Sequence, residues 1–439
     1  MVTTALILSL SHTTPGQTSR SVRVAGLSID VVGDLAGFTL RTDVSRVAEG
    51  LELLHLTLTS PRPAQPPRFG LKWSVPSHDL AGHWMTSRVL NKSIRPDWTS
   101  GRLQPTMFAK EAPVSTLFSS TNNNILTFAA SDALNTILIG SGVREEDGLV
   151  YNEVVFFSER HKSITEYKAS VRIDRRPIGY ETSLKEVGEW WAAQPGYTPA
   201  PVPAAAWGPV YSTWYNFHQS VDSAVLLKEL EVAKLLGFES IIVDDGWQTM
   251  DTNRGYAYTG DWKPERMPDM KEFVEKAQAL GIKVVLWYAV PFVGKNSSLV
   301  NRFKDKSLRF APTGLAAYTL DPRYPEVRQY LIDIYATALR EWKLDGFKLD
   351  FIDRFVADDR TVLDASGGRD YASVNEAADR LMTDVIGALK RINPDVMLEF
   401  LPTNGTAYHS TTLMPSACAF STNSFMSGMR SGFQSPVKA

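Results

Sequence analysis

From residue 207 onward the hydrophobic pattern alternates between two periods. Short strand-like runs are each followed by a stretch with apolar residues three and four apart. Residues 208–214, 240–245, 282–290, 347–352 and 396–400 read as strands. Helices are expected over 223–236, 270–280, 326–342 and 372–391, the first two stopping at Gly237 and Gly281 as C-caps. Strands joined by helical crossovers lie parallel. No glycine-rich nucleotide loop follows the first strand, so a (β/α) TIM-type barrel fits better than a doubly wound sheet. Five strands are counted, and a β-α unit takes about 30 residues. The residues after Phe400 cannot supply three more units, so the barrel is expected to be incomplete.

Residues 1–194 look different. Alternating runs such as 21–25, 51–58, 124–128 and 167–173 are punctuated by Gly, Pro, Asn and Ser, as at 59–63, which predicts an N-terminal β-sandwich. His83-Trp84 and Pro96-Asp97-Trp98 read as loop residues, and residues 183–191 as a helix. Pro195, Pro199, Pro201 and Pro203 make 195–206 a stiff extended linker. The expected organisation is sandwich 1–194, linker 195–206, partial barrel 207–400 and an atypical tail 401–439.

A formal net charge of -2 gives no pull toward nucleic acid or an anionic membrane surface. No apolar run reaches the roughly 18–20 residues that span a bilayer. The start, residues 1–11, lacks a basic region and reads as a first strand rather than a signal peptide. A single cysteine, Cys418, excludes an intrachain disulfide and is compatible with a reducing compartment. These features lead to the expectation of a soluble cytoplasmic protein.

In a β/α barrel the chemistry sits at the carboxyl ends of the strands. There this chain carries Trp214-Tyr215, Asp244-Asp245-Gly246-Trp247, Trp287, and Lys348 with Asp350. A Lys and an Asp two apart on one face of a buried strand are costly unless paired or used. On that stretch alone, a structural ion pair explains them equally well. Four strands converging on one rim favour a pocket. Carboxylates accept hydrogen bonds from vicinal hydroxyls, and indoles pack against the apolar face of a sugar ring. A lysine beside a carboxylate lowers its pKa and keeps it ionised, as a nucleophile requires. Asp244 and Asp245, read as neighbours on a strand, point to opposite faces and do not chelate one ion. No histidine cluster, P-loop or nucleophile elbow is present, so neither metal nor cofactor is expected.

These motifs, with Gly260-Asp261-Trp262 and Leu320-Asp321-Pro322 followed by Pro325-Glu326-Val327-Arg328, resemble the α-galactosidases of glycoside hydrolase family 36, in clan D. The likeness covers roughly residues 201–400. It implies a retaining enzyme that releases terminal α-galactose from melibiose- or raffinose-type α-galactosides. Asp350 in the Lys-x-Asp position would be the nucleophile. Asp244, Asp245 and Lys348 would hold sugar hydroxyls, with Trp214, Trp247 and Trp287 lining the pocket. Asp261 and Trp262 would shape the site or brace its loop. The partner would be the sugar, and a homo-oligomer is compatible.

The chain departs from that pattern after Phe400. The family supplies its general acid from a strand beyond the nucleophile, yet no aspartate follows Asp395 and Glu399 is the last glutamate. Retention needs a second carboxyl roughly 5–5.5 Å from the first. Glu399 is the candidate to try, whereas Asp353, Asp358 and Asp359 are expected in a solvated loop. A truncated product, altered after Phe400, is therefore the expectation, and the activity of this form is left open. Two alternatives remain: a sugar-binding protein without catalysis, and a related α-N-acetylgalactosaminidase or transglycosylase.

Overall fold

The structure is a computed structural model and describes residues 20–88, 91–107, 111–196, 201–253 and 255–401. The expected first strand at 1–11, residues 197–200 of the linker and the tail from 402 lie outside those residues.

The N-terminal strands are β1 (Arg20–Val24), β2 (Leu27–Val32), β3 (Thr39–Ala48), β4 (Leu51–Ala64), β5 (Phe69–Pro76), β6 (Leu80–Met85), β7 (Gln104–Thr106), β8 (Val114–Ser119), β9 (Asn124–Ala130), β10 (Ile137–Arg144), β11 (Leu149–Phe156) and β12 (Ile164–Asp174). They form two six-stranded sheets, in the orders β1-β2-β5-β11-β10-β7 and β3-β4-β12-β9-β8-β6. The inward residues of both sheets share one core that includes Ile29, Leu71, Ile139 and Val154 from the first and Leu54, Leu126, Phe128 and Val171 from the second. Trp73 and Phe128 meet edge-to-face across the sandwich with centroids 4.8 Å apart. Burying each such side chain contributes roughly 1.5–3 kcal/mol. Helix α1 (Tyr180–Ala192) packs its Leu184, Val187 and Trp191 beneath β8 and β9, and the Trp191 indole donates to the Ala130 carbonyl at 2.8 Å.

Two local expectations are corrected. Residues 59–63 are not a break but the exposed end of β4. The register there jumps from Glu166↔Thr59 to Ile164↔Ala64, so Pro61 and Pro63 fall in a bulge where no donor is required. His83 and Trp84 are not loop residues: both are buried in β6. The other stretch does reach the surface, with Asp97 paired to Arg144 and Trp98 exposed.

The second half runs β13 (Val210–Ser212), α2 (Ser223–Leu235), β14 (Ser240–Val243), α3 (Met270–Ala279), β15 (Lys283–Ala289), β16 (Phe292–Gly294), α4 (Val300–Phe303), β17 (Ser307–Ala311), β18 (Ala317–Leu320), α5 (Pro325–Glu341), β19 (Gly346–Asp350), α6 (Val374–Ile392) and β20 (Met397–Leu401). The sheet β13-β14-β15-β19-β20 is parallel throughout, each strand beside its predecessor as in a (β/α) barrel. Five strands are present among the described residues, so the barrel is partial there.

The helices form for the reasons their sequences give. Helix α6 buries Val374, Ala378, Leu381, Val385 and Leu389, a stripe at three- and four-residue spacing, and Ser373 caps it by accepting from the Glu376 N–H. Asp222 caps α2 in the same way, accepting from Val225 N at 2.9 Å. Gly237 ends α2 at φ +88°, a left-handed conformation where a side chain would be strained. A small antiparallel sheet, β16-β18-β17, was not visible in the periodicity; its first strand follows β15 directly. The sandwich is fastened to the barrel half by Arg160, which donates to the carbonyls of Asp358, Asp359 and Thr361, and by the Lys162–Glu376 ion pair. Among the described residues no helix is long and apolar enough to cross a membrane.

Candidate active site

The carboxyl ends of β14, β15 and β19 converge. Strand β14 stops at Val243, so Asp244 and Asp245 belong to the turn that follows and not to alternate faces of a strand. Each is held separately. The backbone N–H of Asp244 donates to Thr213 Oγ1 at 2.9 Å, at the end of β13. Its Oδ2 accepts from Lys348 Nζ at 2.7 Å. Asp245 is clamped by two amides, Gln219 Nε2 on Oδ2 and Gln248 Nε2 on Oδ1, both at 2.7 Å. The turn is possible because residue 246 is glycine. At φ +122° a Cβ would lie 2.4 Å from the Gln219 carbonyl oxygen, and the clamp would open.

Asp350 closes β19. It is 7% exposed, and N–H groups meet both carboxylate oxygens: Trp287 Nε1 on Oδ2 at 2.9 Å and Phe351 N on Oδ1 at 2.8 Å. Phe351 itself adopts φ +65°, a left-handed conformation, as the chain turns out of β19. Lys348 is two residues earlier on the same face, and its cross-strand partner on β20 is Glu399. Lys348 thus sits among Asp244, Asp350 and Glu399.

This arrangement sets the charges. Burial pushes Asp350 up to about 7, against Lys348 and the Trp287 donor, which pull it down. Burial likewise raises Asp245 to about 6, with the two glutamine amides opposing. Burial alone would lower Lys348, but Asp244, Asp350 and Glu399 together outweigh it and hold the ammonium above its ordinary value. Glu399 is raised by desolvation in spite of Lys348. Two acids near neutrality around one fixed cation is the pattern by which sites tune acid–base groups.

The sequence-selected tryptophans separate. Trp287 is 1% exposed and acts as a donor to Asp350. Trp247 was expected to line the pocket, but its indole has no exposed surface. It packs against Trp262, Tyr288 and Trp342 and donates to the Trp287 carbonyl at 2.9 Å. The reason is geometric: residue 247 lies past the Gly246 bend, which turns it back over the core. Trp214 is half-buried just beyond β13, edge-on to His218 at 4.9 Å. Asp261 braces its loop, accepting from Ser297 Oγ, Ser298 N and Ser298 Oγ. Asp321 forms a buried multidentate pair with Arg323 ahead of α5. Asp353 was expected in solvent and is instead buried in the single turn after Phe351, whereas Asp358 caps a turn over Arg360 and Thr361.

Sequence reasoning missed Gln219 and Gln248, which carry no motif, and Tyr256. The Tyr256 ring stacks on Phe292 at 5.2 Å and on Trp287 at 6.2 Å, and meets Phe351 edge-on at 5.1 Å.

Residues 200–413 match the Melibiase family model. The chain is 26% identical over 146 residues to an alpha-galactosidase of Escherichia coli, covering 32% of this chain and 20% of that one. It is 25% identical over 200 residues to alpha-galactosidase 2 of Pediococcus pentosaceus, covering 43% and 27%. In each case the matched segment spans about a quarter or less of the relative's length. Among solved structures, the alpha-galactosidase of Lactobacillus brevis superposes with a TM-score of 0.56 at 16% identity, covering 90% of this chain and 54% of that one. A family 36 alpha-galactosidase of Geobacillus stearothermophilus, solved with raffinose, gives 0.54 at 14% identity, covering 85% and 55%. The fold is therefore shared: an N-terminal β-sandwich followed by a (β/α) barrel, of which five strands are described here.

Proposed function

We propose that this chain, whose residues 200–413 match the Melibiase family model, carries the sugar-binding and nucleophilic half of a retaining α-galactosidase site. The observation that carries the reading is the Asp350 carboxylate. It stands at a strand's carboxyl end, fixed by N–H donors on both oxygens, with the Lys348–Asp244 pair beneath it.

Asp350 attacks the anomeric carbon as the bond to the leaving oxygen breaks, giving a covalent glycosyl ester and retaining configuration after water displaces it. The donors from Trp287 and Phe351 fix one approach direction for the nucleophile. Attack needs the ionised carboxylate, and with Asp350 near 7 about half of it is ionised at neutral pH. The Asp244–Lys348 pair and the clamped Asp245 supply acceptors and a cationic donor for sugar hydroxyls. Glu399 is half-buried and paired in register with Lys348 rather than with Asp350. We therefore assign it to charge balance under the site rather than to protonation of the leaving oxygen. Substrates of this class are α-galactosides, as in the raffinose and stachyose complexes of structurally similar enzymes.

An aryl α-galactoside with a low-pKa phenol tests this, because such a leaving group departs with little protonation. Stopped-flow mixing should release a burst of phenol stoichiometric with protein, and Asp350→Ala should abolish it. Galactose binding without any burst would leave a sugar-binding protein in place of an enzyme.

A further inference from the structure

We propose that Tyr256 is a sugar-binding, specificity-determining residue of this site, its phenol donating to one hydroxyl of the galactosyl unit held over Asp245 and Asp350. The inference rests on the glycosidase reading above and deepens it.

Tyr256 lies in the loop that leaves the Asp244-Asp245 turn and returns at Gly260. Its backbone is fixed from both sides. The N–H donates to the Leu315 carbonyl at 2.9 Å, and its carbonyl accepts from Thr259 N at 3.2 Å and Thr259 Oγ1 at 2.8 Å. Its ring is wedged among Phe292, Phe351 and Trp287, the last being the residue that donates to Asp350. Such a ring has little freedom, so its hydroxyl is aimed rather than free to wander.

The ring lies on the site: it stacks on Trp287, whose indole donates to Asp350 at 2.9 Å. The ionisable groups that act on its phenol are Asp245, Asp350, Asp244 and Arg354. No side chain among the described residues hydrogen-bonds it, and the residue is half-buried, which leaves the phenol a partner to find in a ligand. Burial and those carboxylates keep the phenol protonated far above its ordinary range, which makes it a permanent donor. Around it stand three carboxylates that can only accept when ionised. A sugar hydroxyl both donates and accepts, so it can donate to a carboxylate while accepting from Tyr256. A deoxy position can do neither. One neutral hydrogen bond is worth about a factor of ten or less in affinity.

The test is a cycle between protein and ligand. Galactose and its monodeoxy derivatives are titrated by calorimetry into the wild type and Tyr256→Phe. Trp fluorescence reports whether the ring packing on Trp287 is retained. For the wild type, one deoxygalactose should bind about tenfold more weakly than galactose. For Y256F, galactose should lose about the same factor, and that deoxygalactose should bind both proteins alike. Equal binding of galactose by both proteins overturns the proposal. So does a uniform loss across every sugar, which is what a structural role would give. A wild type that binds no galactose overturns the glycosidase reading itself, an outcome separate from either.

Discussion

The hydrogen bond from Trp287 to Asp350 can be removed with little else changed, and its loss should appear as a shift along the pH axis. Trp287→Phe keeps an aromatic ring between Tyr256 and Phe351 but deletes the indole N–H, 2.9 Å from Oδ2. A hydrogen bond to a charged group is worth about 1.5–3 kcal/mol. At 1.36 kcal/mol per unit, the Asp350 pKa should rise by about one to two units. The acidic limb of the burst rate constant, set near 7 by Asp350 in the wild type, should then move to about 8–9. At pH 7 the ionised fraction falls from about one half to between about a tenth and a hundredth, so the variant should be roughly five- to fiftyfold slower. The gap should close above about pH 10, where both carboxylates are ionised. Rate constants for the aryl α-galactoside burst from pH 5 to 10 make the comparison. A variant equally slow at every pH, or one whose limb stays near 7, would refute the reasoning: the first points to misplaced geometry, the second to a carboxylate that does not depend on the indole.

Two further outcomes follow from the same charges. Lys348→Met leaves buried Asp244 without its cation, which should cost about 3–5 kcal/mol of stability in urea unfolding at neutral pH; a loss under about 1 kcal/mol would mean that water already screens the pair. Asp350 is raised in the fold from 3.8 to about 7, so between those values the folded protein binds more protons than the unfolded chain. Buried His83, lowered to about 3, acts in the opposite sense in any variant of the site, so the Asp350 contribution is read as a difference: relative to Asp350→Asn, wild-type stability should fall as pH rises from about 4 to about 7 and then level off, by no more than about 4 kcal/mol. Denaturation of both proteins at pH 4, 5.5, 7 and 8 gives that difference; wild-type stability that rises relative to the variant across this window contradicts the assignment.

The parallel sheet was legible because its strands and helices are long enough for their periods to register. The helix expected over 223–236 is α2 at Ser223–Leu235, and the strand expected over 347–352 is β19 at Gly346–Asp350. The small antiparallel sheet escaped because β16 has three residues and β18 four, too few to alternate visibly. At the site, Asp244, Lys348 and Asp350 could be found because buried charge on a strand is itself a signal. Gln219 and Gln248 could not, since an amide is unremarkable anywhere until a carboxylate is seen between two of them. Trp247 was expected in the pocket on the family resemblance alone, which says nothing of where its side chain turns. The bend at Gly246 reverses which side a residue faces, and no periodicity survives such a bend.

Phe351 holds a backbone shape that an aromatic residue rarely adopts, at a cost of about 1–2 kcal/mol relative to an ordinary conformation. Asparagine or glycine would relax that tension and could make the molecule harder to melt. Either would also strip away the ring on which Trp287, Tyr256 and Phe292 lean. Selection for heat resistance and selection for turnover therefore pull this one codon in opposite directions, and a thermostabilised library should be checked there first.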